Sequence, residues 1–189
     1  MSQTEALETT KEEVSRKLEM FSVDMLRMEY LENCLKRSLP HEVRKFAHLK
    51  LAELYENRLM HGEAIKHMEN VAEMSTSFKD KKEAYMKKID MHMKLGAFME
   101  IDDTLKKALA CVNTPAEKND LKNSMKDKYL QMAQKCETEK KYNHALKFYE
   151  KIFVVEPNNP VIIKKLADMY NKVGKVREAI KMEGLARGL

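Results

Sequence analysis

The chain has 189 residues, of which 43% are hydrophobic and 34% charged, and its formal net charge is +5. This length suits one compact domain or one short helical solenoid. With only 5 Gly and 4 Pro against frequent Lys, Glu, Leu, Met and Ala, the composition favours helices and excludes sandwiches and barrels, which need many turn residues.

The sequence contains neither a disulfide framework nor a membrane anchor. Cys34, Cys111 and Cys136 are odd in number and form no CxxC pair, which indicates reduced thiols. The first residues are polar and acidic, unlike a signal peptide. The longest apolar run, residues 152–155, is too short to cross a bilayer. We therefore expect a cytoplasmic protein without membrane insertion.

The N-terminal region is predicted to hold a disordered tail over residues 1–10 and an amphipathic helix over residues 11–39. Apolar side chains recur there at spacings of three and four: Val14, Leu18, Phe21, Met25, Met28, Leu31 and Leu35. Such spacing is typical of one helix face. This segment either packs on the following helices as a degenerate repeat or cap, or docks into a groove or dimerises.

Four segments resemble one another and indicate an internal repeat. Residues 49–72, 132–153 and 166–186 align closely, and residues 89–109 align more weakly. In the first helix a small residue precedes a Tyr by three: Ala52/Tyr55 and Ala167/Tyr170, with Ala133/Cys136 and Ile89/His92 as departures. A second set of packing positions follows: Ala64/Met68/Val71, Ile101/Leu105/Ala108, Ala145/Tyr149/Ile152 and Ala179/Glu183/Ala186.

This pattern resembles the tetratricopeptide repeat (TPR) family, whose unit of about 34 residues is a helix–turn–helix. Gly96 and Gly174 match the family's turn glycine, and Pro157 its closing proline. The resemblance implies an all-α fold, an α-solenoid of antiparallel helix pairs with about four TPR-like repeats, two of which carry insertions. The repeats are expected near residues 45–78, 82–115, 126–159 and 160–189, within a superhelical domain spanning 45–189.

Helix start signals explain the insertions. Thr114-Pro115-Ala116-Glu117 is a capping box with Pro at the first helical position, so a long helix is expected from there to about residue 140. Ser77 followed by Asp80 predicts another early start, and Asn159-Pro160 begins the last pair. Some first helices are therefore expected to be overlong.

No group of residues points to catalysis, a cofactor or a metal. The sequence lacks a Gly-rich phosphate loop, HExxH and GxSxG, and the six histidines are dispersed. His92 stands where the family has a buried Tyr, so a core role is expected. Met91 and Met93 flank it, but residues two apart on a helix point in different directions and cannot share one ion. We expect a non-enzymatic protein without cofactors.

The resemblance also implies that the first helices line a concave partner-binding face. The residues predicted to point into it are Leu49, Glu53, Glu56, Asn57, Met86, Asp90, Met93, Leu130, Gln134, Asp168 and Asn171. They form an apolar stripe (Leu49, Met86, Leu130) beside a mostly acidic stripe (Glu53, Asp90, Gln134, Asp168). Such a pair suits a protein partner with a basic amphipathic segment, and indicates an adaptor or scaffold. Ordinary solvated helix faces would give the same pattern.

Two other functions remain open. Lysines cluster over residues 122–151 and 164–181, which would suit RNA or another polyanion on the outer surface; the sparse aromatic residues argue against base stacking. The last helix carries Ile180, Met182, Leu185 and Leu189, and apolar surface there would allow a homodimer or larger self-assembly.

Overall fold

The fold consists entirely of α-helices over the residues that the structure describes. The computed structural model describes residues 9–188, which form ten helices and no strand. The helices are α1 Lys11–Glu19, α2 Asp24–Leu35, α3 His41–Asn57, α4 His61–Met74, α5 Phe78–Leu95, α6 Phe98–Ala110, α7 Pro115–Thr138, α8 Tyr142–Val155, α9 Pro160–Lys172 and α10 Val176–Arg187. The prediction of an all-α fold is confirmed.

The chain divides into two compact units. The N-terminal unit, Met1–Val112, contains α1–α6, and the C-terminal unit, Asn113–Leu189, contains α7–α10. In the first unit α3 packs on α4, α4 on α5 and α5 on α6; in the second, α7 packs on α8, α8 on α9 and α9 on α10. The pairs α3–α4, α5–α6, α7–α8 and α9–α10 are therefore antiparallel hairpins of the predicted TPR type.

The cores of the α3–α4 and α7–α8 hairpins follow the small–large pattern seen in the sequence. Ala145, Tyr149 and Ile152 of α8 are each at most 1% exposed, and Ala64, Met68 and Val71 of α4 are each at most 5% exposed. Small side chains let two helices approach closely, and large ones fill the space between them. Full burial of one large apolar side chain stabilises the fold by about 1.5–3 kcal/mol.

The predicted helix starts are confirmed. Thr114 accepts a hydrogen bond from the Glu117 backbone N–H while the Glu117 side chain bonds the Thr114 backbone, which completes the capping box. This cap begins α7, a helix of 24 residues. Ser77 caps α5 by accepting from the Asp80 N–H, and Asn159 caps α9 in the same way. These side chains satisfy backbone donors that a helix start leaves without partners.

All four hairpins turn through one residue in the left-handed region. These residues are Leu59, Gly96, Lys140 and Gly174, with φ of 60°, 69°, 59° and 79°. The next N–H along the chain then donates to the carbonyl at the family's Tyr position: Met60 to Tyr55 at 2.9 Å, Ala97 to His92 at 3.0 Å, Lys141 to Cys136 at 2.8 Å and Lys175 to Tyr170 at 2.8 Å. This bond closes the end of each first helix.

The single N-terminal helix expected over residues 11–39 is instead two helices, α1 and α2. Residues Met20–Val23 interrupt it, because the backbone leaves the helical region and Val23 is extended. The interruption brings Phe21 against Tyr30, with ring centroids 5.5 Å apart. Both helices pack on α3, and Val14 and Leu31 are fully buried in its core.

Two further boundaries differ from the sequence prediction. The first three hairpins begin at His41, Phe78 and Pro115, earlier than the expected residues 45, 82 and 126, because their first helices are longer than the family unit. Of the predicted disordered tail, residues 1–8 lie outside the described residues. Thr10, by contrast, caps α1 through a capping box with Glu13.

Candidate partner-binding site

The face of α3 in the N-terminal unit carries a cavity on each side. The first, of about 320 Å³, lies between α3 and the N-terminal helices and is lined by Ser15, Leu18, Glu19, Arg27, Lys50, Glu53, Leu54 and Asn57. Two predicted residues, Glu53 and Asn57, line this cavity. Arg27 is held in place because it donates to Asp24 at 2.8 Å and to the Leu18 carbonyl at 3.2 Å.

The second cavity, of about 210 Å³, lies between α3, α4 and α5. Predicted residue Leu49 lines it together with the core residues Met68, Val71 and Ala84. Lys45, Asp80, Glu83 and Lys87 also line it, and Lys45 pairs with Asp80 at 2.9 Å. The cavity therefore joins an apolar floor to a rim with equal numbers of acids and bases.

The acidic residues predicted on α3 are already paired. Glu53 accepts from Lys50 at 2.8 Å, and Glu56 accepts from Lys94 of α5 at 2.6 Å. All four side chains are about one-third to two-fifths exposed. A basic partner would have to compete with these lysines. Because exposed ion pairs contribute only about 0–1 kcal/mol, replacing a lysine of the chain with one of the partner costs little free energy.

Of the three predicted residues of α5, one is placed differently from the other two. Met86 and Asp90 are partly buried. Met93 is only 3% exposed and belongs to the core, so it is not available to a partner in this structure. Its neighbours Met91 and His92 are buried as well, which shows that α5 is covered on more than one side.

The predicted residues of the C-terminal unit are mostly accessible. Leu130 is partly buried, whereas Gln134, Asp168 and Asn171 are exposed. Asp168 pairs with Lys172 at 2.7 Å, and Asn171 contacts Glu183 at 3.5 Å.

Glu137 of α7 is bound by side chains from two other helices of this unit. It accepts from Lys165 at 3.0 Å and from the Tyr149 hydroxyl, and its side chain is only 16% exposed. Burial and this carboxylate raise the pKa of Tyr149. Glu137 therefore ties α7, α8 and α9 together.

Six lysines of the basic cluster form ion pairs with acids. Within the C-terminal unit the pairs are Lys126–Glu156, Lys135–Glu139, Lys141–Glu139, Lys147–Glu150, Lys165–Glu137 and Lys172–Asp168. A basic cavity of about 360 Å³ remains, lined by Lys140, Lys141, Tyr142, Asn143, His144, Lys172 and Val173. Lys172 also lies over the Tyr142 ring at 5.1 Å.

Sequence reasoning missed a pair of histidines between α3 and α4. The Nδ1 atoms of His48 and His67 are 2.9 Å apart, and Tyr55 stacks on the His67 ring with a centroid distance of 5.5 Å. Burial, His67 and Arg44 lower the pKa of His48 to about 4, and burial lowers the pKa of His67. One neutral ring must donate and the other accept. Only the helix register, which pairs residues far apart in sequence, could have revealed this contact.

The described residues can be compared with the requirements of a metal site and of a reactive thiol. No group of three or more His, Cys, Asp or Glu side chains among residues 9–188 is arranged to hold a metal ion. Burial raises the pKa of the Cys136 thiol, which disfavours the nucleophilic thiolate. None of the described helices is both long and apolar enough to span a bilayer.

Comparison with known proteins gives likeness at the level of fold. No family model matches the chain, and no curated protein matches its sequence. Among solved structures, a MamA protein is 18% identical over 93% of this chain and 87% of its own, with a TM-score of 0.47. MamA from Desulfovibrio magneticus is 11% identical over 95% and 92%, with a TM-score of 0.46.

A third similar structure contains the nearly identical TPR-like repeats of a Podosopora anserina kinesin light chain. It is 16% identical over 94% of this chain and 92% of its own, with a TM-score of 0.42. Likeness at this level says nothing about this chain's partners. Within each unit, the chain's own hairpins are TPR-like.

Proposed function

We propose that this chain is a non-enzymatic adaptor or scaffold that holds a peptide or helix of a partner protein on the α3 face of its N-terminal unit. The observation that carries the proposal is the pair of cavities flanking α3, which include Leu49, Glu53 and Asn57. A concave site with an apolar floor and polar rim is the usual form of a binding site.

The contacts define what such a partner must bring. An apolar side chain would fill the space beside Leu49, above Met68 and Val71. A Lys or Arg would replace Lys50 or Lys94 at the carboxylates of Glu53 and Glu56. A basic amphipathic helix provides both kinds of group at the i, i+3, i+4 spacing typical of helix recognition.

A displayed library of random helical peptides, selected on the full chain, tests this function without knowledge of the natural partner. We expect enriched peptides with an apolar stripe beside Lys or Arg. Their affinity should fall about tenfold or more with Leu49→Arg and with Glu53→Lys, since each removes one anchoring contact. The matched control is Met99→Arg, because Met99 is 79% exposed on α6 and lines neither cavity.

Two results would count against the proposal: no enrichment, or binding that Met99→Arg weakens as much as Leu49→Arg does. The melting temperature of each variant must stay near that of the wild type, since Leu49 is partly buried. As a readout independent of stability, a photo-crosslinking side chain at exposed Asn57 should label the selected peptide.

The basic cavity of the C-terminal unit favours a second candidate, the binding of RNA or another polyanion near Lys140 and Lys172. A salt titration separates the two, because phosphate contacts weaken steeply with salt. Binding of single-stranded RNA that fades with salt and is lost with Lys140→Glu supports this candidate. RNA binding that changes neither with salt nor with Lys140→Glu rules this second candidate out.

A further inference from the structure

One face of α8 is covered by the next helix, α9, and α10 has an equivalent face, its outer edge, one repeat later in the chain. In α8, the residues Tyr142, Leu146, Tyr149 and Phe153 recur at spacings of four, three and four, so they share one helix face. Leu146 and Tyr149 are at most 2% exposed. Helix α9 packs on α8, and Lys172 near its end lies over the Tyr142 ring at 5.1 Å.

Moving each of these positions along the chain by one repeat gives Val176, Ile180, Glu183 and Arg187 of α10. Ile180 is 62% exposed and Val176 is 56% exposed. Ala179, on the inner side, is fully buried. The edge therefore keeps two apolar residues at the position where α8 receives a helix.

The charges around this edge are mainly basic. Arg177 and Arg187 are exposed, and neither forms an ion pair with another described residue. Glu183, the one acid on the stripe, is partly buried and accepts from Asn171 at 3.5 Å. An incoming helix therefore meets apolar surface beside unpaired guanidinium groups.

We propose that the Val176–Ile180 edge of α10 binds an amphipathic helix that carries acidic side chains. Its apolar face covers Val176 and Ile180, in the place that α9 takes against α8. Its carboxylates pair with Arg177 and Arg187, and Arg pairs well with carboxylates because two N–H groups can donate at once. This surface is separate from the α3 cavities, so the proposal does not depend on the function proposed above.

The test uses a labelled peptide of about 18 residues with a covalent staple that keeps it helical, because isolated helices of this length are marginal in water. The peptide carries Leu at positions i, i+4, i+7 and i+11 and Glu at the neighbouring positions. Its counterpart has every Glu replaced by Lys. Fluorescence anisotropy with the full chain should show that the acidic peptide binds and that its counterpart is at least tenfold weaker.

Substitutions in the chain locate the site. Ile180→Glu should weaken the acidic peptide at least tenfold, whereas the matched control Val154→Glu should not, because Val154 is an 81% exposed valine of α8 away from this edge. Arg177→Glu combined with Arg187→Glu should reverse the preference, so that the Lys peptide binds more tightly. Leu49→Arg should leave all of these affinities unchanged.

The proposal is overturned if the acidic peptide does not bind, if both peptides bind with equal affinity, or if Ile180→Glu and Val154→Glu cause equal losses. Sedimentation equilibrium of the full chain tests whether a second copy of the chain occupies this edge instead. Self-association that Ile180→Glu abolishes would assign the edge to a second copy and overturn the acidic-helix assignment. A chain that stays monomeric at all concentrations supports it.

Discussion

The hydroxyl of Tyr55 donates a hydrogen bond to the carboxylate of Glu32 on α2. In the C-terminal unit, Tyr170 makes the same bond to Glu150 of α8 at 3.0 Å. Each Tyr lies on the first helix of a hairpin, and each Glu on the helix before it. Helix α2 therefore occupies the place of a second repeat helix, and α1–α2 is a degenerate hairpin packed on α3.

The Tyr55–Glu32 bond should couple this degenerate hairpin to the rest of the unit. Tyr55→Phe removes only the hydroxyl and is expected to lower the free energy of unfolding by about 1–2 kcal/mol. Glu32→Gln should cost less, and the two losses should be non-additive because they remove one interaction. Urea denaturation of the four members of the cycle measures this, and additive losses would show that the bond does not form in solution.

Stability should fall as the pH drops below about 6.5, because of the pair His48 and His67. Burial lowers the pKa of both rings, that of His48 to about 4, so the unfolded chain binds protons first as the pH falls. The loss begins near the ordinary pKa of histidine, continues as the pH falls through about 4, where His48 takes up its proton in the folded chain, and is absent above pH 7. We expect about 1–2 kcal/mol after allowing for solvent screening.

Thermal unfolding between pH 7.5 and 4.5 checks the histidine prediction. The double variant His48→Gln/His67→Gln should show a flatter profile than the wild type. His41→Gln is the control, since His41 is exposed and outside the pair. If the melting temperature falls equally with pH in the double variant and in the control, other groups cause the loss of stability in acid.

His92 is expected to be a point where the fold can be stabilised. It is 7% exposed, and neither ring nitrogen has a hydrogen-bond partner among the described residues. Glu69 lies 23 residues before it, as Glu32 lies before Tyr55. Glu69 is instead bound to Lys88 and Lys107, so it does not serve the imidazole.

The substitution His92→Leu should raise the free energy of unfolding by about 1 kcal/mol, because it removes two buried polar atoms that lack partners. Chemical denaturation at pH 7.5, where the ring is neutral, measures the change. A loss of stability of similar size would mean that the imidazole makes a favourable contact in solution.

The left-handed turn residues give a matched pair of substitutions in the C-terminal unit. Lys140, with φ of 59°, should be relieved by Lys140→Gly, which is expected to add about 1 kcal/mol. Gly174→Ala should cost about the same, because its φ is 79° and its Cβ would meet open space rather than a clash. Unfolding curves with the same sign for both changes would contradict this account.

Local chemistry explains why much of the fold was predictable. The caps at Ser77, Thr114 and Asn159 and the buried triplets depend on neighbours a few residues apart, so the sequence displays them directly. The α1–α2 break was missed because Phe21 and Met25 keep the apolar spacing through it, and periodicity does not register a few extended residues.

The candidate site was less predictable because accessibility and pairing depend on other helices. Met93 fits the family's inward-pointing position, yet the surrounding helices bury it. Lysines pair with Glu53 of the acidic stripe and with the nearby Glu56, although both carboxylates looked open in the sequence. His48 and His67 meet only because α3 and α4 pack in register.

Helix α7 has 24 residues, whereas its partner α8 has 14, so at 1.5 Å per residue it is longer by about 15 Å. Every side chain from residue 115 to residue 120 is exposed. For protein engineering, this exposed first part of α7 is a suitable attachment site: a fluorophore or affinity tag at Asn119 would be attached to a helix without disturbing the buried packing positions. Evolution has the same freedom, since the exposed turns can change in composition while the hairpin core is left untouched.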